Sequence, residues 1–140
     1  MEHDLLAVCC HYPFMPLPDG MGGWGAEELR FGIHGGAVET SMMAHLRPDL
    51  VQWEHAQCFE SRAVEVASEF EQLFPHGGAV GYGWMAQDLA ESGVVGDATN
   101  ADSERGEEVV RFYGTQLAEL LAEVSRADCE QLLRSRFSGQ

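Results

Sequence analysis

Residues 32–43, GIHGGAVETSMM, concentrate an imidazole (His34), two adjacent glycines (Gly35, Gly36), a carboxylate (Glu39) and two hydroxyls (Thr40, Ser41). An imidazole held near a carboxylate can move a proton to or from a reacting group. The glycine pair frees the backbone for a tight turn, and Val38, Met42 and Leu46 recur behind it at helical spacing. A loop therefore runs into a helix N-terminus, where unpartnered N–H groups and the positive end of the dipole favour an anion or a developing oxyanion. His34 falls on the loop side and Glu39 in the first helical turn. A separation of five residues excludes the single-face metal pair of H-E-x-x-H, yet a loop-to-helix reversal can aim both side chains into one pocket. His34 and Glu39 are thus candidate catalytic residues, with Gly35 and Gly36 as candidate substrate-binding backbone. The competing bland reading makes Glu39 a dipole partner and His34 a hydrogen-bonded loop residue.

Other chemistry-bearing residues are weaker candidates. Residues 11–25 form a long loop broken by Pro13, Pro16, Pro18 and glycines, and its aromatics Tyr12, Phe14 and Trp24 can either wall a substrate pocket or pin the loop to the core. Asp88 and Asp97 lie beside strand-like runs, where an aspartate more often caps a turn than performs catalysis. His76 precedes another glycine pair, but no carboxylate follows at a useful distance, so it reads as a surface loop residue. Cysteines 9, 10, 58 and 129 show no C-x-x-C pair. They read as reduced, mostly buried thiols in a reducing compartment, with a catalytic cysteine a distant alternative.

The elements that must position these groups follow from periodicity. Residues 4–10 read as a buried parallel strand, residues 27–31 as a short helical turn, and Pro48 closes the helix that begins near Gly36. A second helix is expected over residues 60–74, with Glu65, Glu69 and Glu71 on its solvated face, and a strand over residues 79–85. Asp102 or Ser103 caps a long helix over residues 104–124, whose stripe is Val109, Val110, Tyr113, Leu117, Leu120, Leu121 and Val124; a short helix over residues 128–137 ends the chain. This order implies an α/β fold with a mostly parallel sheet in one domain, or half of one, over residues 1–140.

With 140 residues, 45% of them hydrophobic, the chain can bury a modest core. Its formal charge of -15 argues against nucleic acid and anionic membranes as partners. Every basic residue is arginine, which excludes Schiff-base chemistry by a lysine amine. The polar, acidic start and the lack of a long apolar run point to a cytoplasmic protein.

Residues 34–41, HGGAVETS, resemble the H-A-G-x-x-E-T-S signature of the creatininase (creatinine amidohydrolase) family. The likeness extends upstream through EELRFGI (residues 27–33) and downstream through MMAHLRPDLV (residues 42–51), GWMAQDL (residues 83–89) and GVVGDA (residues 93–98). It covers about residues 5–123 in the expected order. The resemblance implies a three-layer α/β/α sandwich that assembles as a homo-oligomer. It also implies hydrolysis of a linear or cyclic amide, such as creatinine, by water activated on divalent zinc or manganese. In that picture His34 orients the substrate or moves a proton at the leaving nitrogen, and Glu39 holds the metal-bound water or a neighbouring ligand. Tyr12 and Trp24 would line the substrate pocket, and the glycine pair would face the oxyanion. The family's N-terminal metal-ligand segments are not found here, so the chain resembles a C-terminal portion whose activity alone is expected to be small or absent. Two alternatives are an inactive interaction module that caps an oligomer and a degenerate fragment.

Overall fold

A computed structural model describes residues 7–11, 16–76, 80–128 and 132. The chain divides into two compact units, one formed by residues 17–110 and the other by residues 1–16 with 111–140. The larger unit carries the helices α1 (Ala26–Phe31), α2 (Ala37–Leu46), α3 (Ala63–Glu69) and α4 (Ala86–Leu89), with the first turns of α5 (Ser103–Arg126). Its strands are β1 (Cys58–Phe59), β2 (Leu73–Phe74), β3 (Val80–Gly81) and β4 (Gly96–Asp97). β1 pairs antiparallel with β4, and β2 pairs parallel with β3. The chain is therefore mixed α/β, but the described strands form two separate pairs and do not assemble into one mostly parallel sheet. The final helix expected over residues 128–137 lies almost wholly outside the described residues, as does part of the strand expected over residues 4–10. The described part of that strand, residues 7–10, is irregular and exposed, so Cys9 and Cys10 are exposed thiols and not buried ones.

The buried centre of the larger unit is Ala63, Leu89 and Val95, packed by Phe31, Ile33, Trp84 and Ala90. Around it, the face of α2 that turns inward is Ala37, Ser41 and Ala44, not the Val38, Met42 and Leu46 stripe expected from spacing. The reason is a close helix approach: a Cβ on Gly106 of α5 would run into the backbone carbonyl of Ser41, so only small side chains fit between. Leu46 is left 54% exposed. Ser41 is fully buried, and its hydroxyl oxygen accepts the Asp102 N–H at 2.8 Å. Asp102 in turn accepts the N–H groups of Glu104 and Arg105, both at 2.9 Å, which caps α5 as expected.

The helix expected over residues 60–74 is shorter than its periodicity implies. It stops at Glu69, because Phe70 takes extended backbone (φ -125°, ψ 131°) and the chain continues into β2. There the Arg30 guanidinium lies 4.7 Å from the Phe74 ring centre and 4.9 Å from that of Phe31, a tertiary contact that a helix reading cannot anticipate. Among the described residues, no helix is long and apolar enough to cross a membrane.

Candidate active site

The HGG corner is closed by its own motif. Gly35 takes φ +72°, a left-handed conformation open to glycine. Its N–H donates to Glu39 Oε2 at 2.7 Å, and its carbonyl accepts the Thr40 hydroxyl at 3.1 Å. The adjacent side chains of an E-T pair thus hold both polar groups of one glycine, while the following serine docks α5. Each side chain of the E-T-S triplet thus holds a different backbone group, the Gly35 N–H, the Gly35 carbonyl and the Asp102 N–H.

The corner presents His34 outward. Its backbone is held in an isolated antiparallel bridge with Val95, whose N–H donates to the His34 carbonyl at 2.9 Å. The side chain is 65% exposed, and its Nδ1 lies 3.7 Å from Glu39 Oε2, an ion-pair distance longer than a hydrogen bond. His34, Gly35, Glu39, Thr40, Met43, Leu50 and Val51 line a shallow cavity of about 290 Å³. The imidazole and carboxylate form its polar side, and Met43, Leu50 and Val51 its apolar side. That volume suits a small molecule of few heavy atoms.

The α2 N-terminus does attract an anion, as its dipole demands, but the anion belongs to the chain. Glu28 of α1 reaches across so that Oε1 accepts the Ala37 N–H at 2.6 Å, while Oε2 accepts the Asp97 N–H at 2.8 Å. Three glycines surround this carboxylate. A Cβ built on Gly96 would lie 2.7 Å from the Cα atoms of both Gly32 and Gly36, and 2.9 Å from Glu28 Oε1. The Gly35 and Ala37 N–H groups are therefore committed to Glu39 and Glu28. Glu28 is the residue that sequence reasoning missed. Its partner Asp97 is 69 positions away, and the only local trace is the spacing of Glu28, Gly32 and Gly36 at every fourth residue.

The remaining candidates separate. Tyr12 lies outside the described residues. Trp24 is only 6% exposed, its indole N–H donates to the Asn100 carbonyl at 3.3 Å and the Arg105 guanidinium lies 5.9 Å from its ring centre. Trp24 is absent from the cavity lining at His34, so its position is that of a loop anchor. Asp88 accepts the Met85 N–H, and Asp97 accepts both the N–H and the hydroxyl of Thr99, so both are capping groups. His76 is half-buried and packs edge-on against Trp84 at 6.1 Å, a departure from the surface-loop expectation. Among the described residues its buried Nε2 meets no hydrogen-bond partner; burial, and then the nearby Arg30 charge, hold its pKa below the usual histidine value.

A second cavity, about 600 Å³, opens between α1, α3 and β1 and is lined by Glu27, Glu28, Glu60, Glu65 and Asp97 with Phe31, Phe59 and Arg62. Cys58 sits in its wall. Desolvation first, and then the carboxylates of Asp97, Glu60, Glu28 and Glu27, push this thiol up, which keeps it protonated and poorly nucleophilic.

Fold and site together describe a mixed α/β protein that presents an imidazole and a carboxylate at the mouth of a small cavity, on a loop that enters a helix. A family model described as Creatininase: Creatinine amidohydrolase matches residues 7–121, and the chain belongs to that family. No curated protein and no solved structure matches it significantly. Family membership implies a divalent metal. Among the described residues no three His, Cys, Asp or Glu side chains converge to hold one, and Glu39 Oε2 already accepts the Gly35 N–H. The described residues therefore do not fit a complete metal centre.

Proposed function

We propose that this creatininase-family chain is an amidohydrolase that opens a small linear or cyclic amide C–N bond at the His34–Glu39 cavity. The observation that supports this reading best is the His34 imidazole facing Glu39 at 3.7 Å over a 290 Å³ cavity, within the segment that the family model covers. In this reaction water adds to the amide carbon and the C–N bond breaks. His34 takes a proton from the adding water and delivers it to the leaving nitrogen, with the Glu39 carboxylate facing the imidazole that carries it. The pair then tightens from its present ion-pair distance when substrate displaces water, as catalytic hydrogen bonds commonly do. Gly35 and Thr40 keep Glu39 in place. Met43, Leu50 and Val51 offer an apolar wall for the hydrocarbon part of the amide.

The test is hydrolysis of a panel containing creatinine, N-formyl compounds and short peptides by the full chain, with manganese or zinc supplied, and products read by mass spectrometry. At least one amide is expected to turn over, and His34→Ala is expected to lower the rate by about 100-fold or more. Hydrolysis that persists unchanged in His34→Ala, or no hydrolysis of any panel member, sinks the assignment. A second reading, an interaction module that caps an oligomer, is favoured by Met43, Leu46, Leu50 and Trp53, which are 40%, 54%, 55% and 47% exposed. Association in light scattering together with a silent amide panel selects it. We further place the protein in the cytoplasm, in keeping with the three free cysteines among the described residues.

A further inference from the structure

The three glycines around Glu28 give this side chain a role beyond dipole complementation. We propose that Glu28 is a positioning residue, which fixes the His34–Glu39 pair by clamping the two backbone segments on either side of it. The catalytic consequence rests on the hydrolase reading, but the geometry is independent of it.

His34 is fixed to Val95 by one backbone hydrogen bond, Val95 N–H to His34 carbonyl at 2.9 Å. That bridge is an isolated one and does not extend into a ladder. Glu28 supplies the second tie, two residues from Val95 and three from His34, because one carboxylate accepts both Asp97 N–H and Ala37 N–H. Both bonds run to a charged acceptor and are of the stronger kind. The backbone conformation around the carboxylate is then bounded by Gly32, Gly36 and Gly96, none of which has room for a Cβ. Gly96 also takes φ +117°, a conformation that L side chains rarely adopt. With Ala37 and Asp97 held, Gly36 is the only residue between the clamp and Gly35, whose N–H orients Glu39. Displacement of Glu28 is thus transmitted through one residue to the carboxylate that faces His34. Glu27, the adjacent carboxylate on α1, lines the larger cavity with Glu28 but is exposed. It serves as the matched control.

Glu28→Gln keeps the shape of the side chain but leaves one neutral acceptor oxygen for two N–H groups. Nuclear magnetic resonance of the full-length folded chain provides readouts independent of turnover. In wild type, hydrogen-bond scalar couplings are expected from the Ala37 and Asp97 amide nitrogens to the Glu28 side-chain carboxyl carbon. In Glu28→Gln, the Gly35 amide and His34 ring signals are expected to move, and Gly35 amide exchange to accelerate by about tenfold, while Glu27→Gln leaves them at wild-type values. Where an amide is hydrolysed, kcat falls by about tenfold or more with KM held, since the substrate wall is untouched. A folded Glu28→Gln that leaves the Gly35 and His34 signals in place overturns the proposal, and so does the absence of the couplings in wild type. The wild-type couplings decide the matter even if the variant fails to fold. Failure of the amide panel with these signals moving as expected overturns the hydrolase reading alone.

Discussion

At the residue scale, much of the polarity around the HGG corner is spent on the chain's own backbone. Ser41 is the clearest case, because it is fully buried and its hydroxyl oxygen accepts the Asp102 N–H at the start of α5. Ser41→Ala leaves that donor without a partner and is expected to cost about 1–2 kcal/mol, read as a shift of the chemical-denaturation midpoint at unchanged slope. A midpoint equal to wild type would show that the Asp102 N–H recaptures a partner. His34, Gly35, Gly36 and Glu39 are legible as one corner because they fall within six positions, and short-range geometry carries most of what that corner does. Glu28 is not legible. Its function depends on Asp97, and nothing in the local pattern of α1 says that two distant glycine-bearing segments meet at its carboxylate. Trp24 has two readings from sequence, pocket wall or loop anchor, and only its tertiary neighbour Asn100 separates them.

At the element scale, glycines in one helix play opposite parts. Gly106 lies where α5 approaches α2, and a Cβ there would overlap the Ser41 carbonyl and lie 2.9 Å from the Met42 nitrogen. Gly106→Ala must therefore move a helix, at an expected cost of about 3 kcal/mol or more. Gly114, in the same helix, has nothing among the described residues within 4 Å of a built Cβ. Gly114→Ala is expected to stabilise by up to about 1 kcal/mol through helix propensity. Paired thermal melts of the two variants check both signs, and equal effects would refute the helix contact at Ser41. The long helix itself is readable, because an uninterrupted periodic run and the Asp102 cap are local signals. The end of α3 is not, because the apolar spacing of Phe70, Leu73 and Phe74 continues a helical period while the chain leaves the helix at Phe70 to form β2. The packing of Arg30 against Phe74 and the pairing of β2 with β3 outweigh that period.

For the whole molecule, the relevant variable is pH, since a chain of net charge -15 holds His76 in a half-buried place, with a ring nitrogen that meets no partner among the described residues. His76 is kept neutral by burial and by the Arg30 charge, with its pKa below the ordinary 6.5. Arg30 is itself held over the Phe31 and Phe74 rings, so its charge stays near the imidazole. The sign follows from linkage: as pH falls through 6.5, the unfolded chain takes up the His76 proton before the folded chain does, so stability is lost on acidification and levels off below the folded-state pKa. Protonation also sets a second cation beside Arg30. Above about pH 7.5 the group is neutral in both states and contributes no slope. His76→Phe removes the titration while retaining a ring against Trp84. The difference in melting temperature, wild type minus variant, is therefore expected to fall as pH is lowered from about 8 to about 5.5. Relief of carboxylate repulsion at lower pH acts on both proteins and cancels in that difference. Parallel curves across the range would mean that His76 finds a partner for its proton, and the unpartnered nitrogen would then have no thermodynamic consequence.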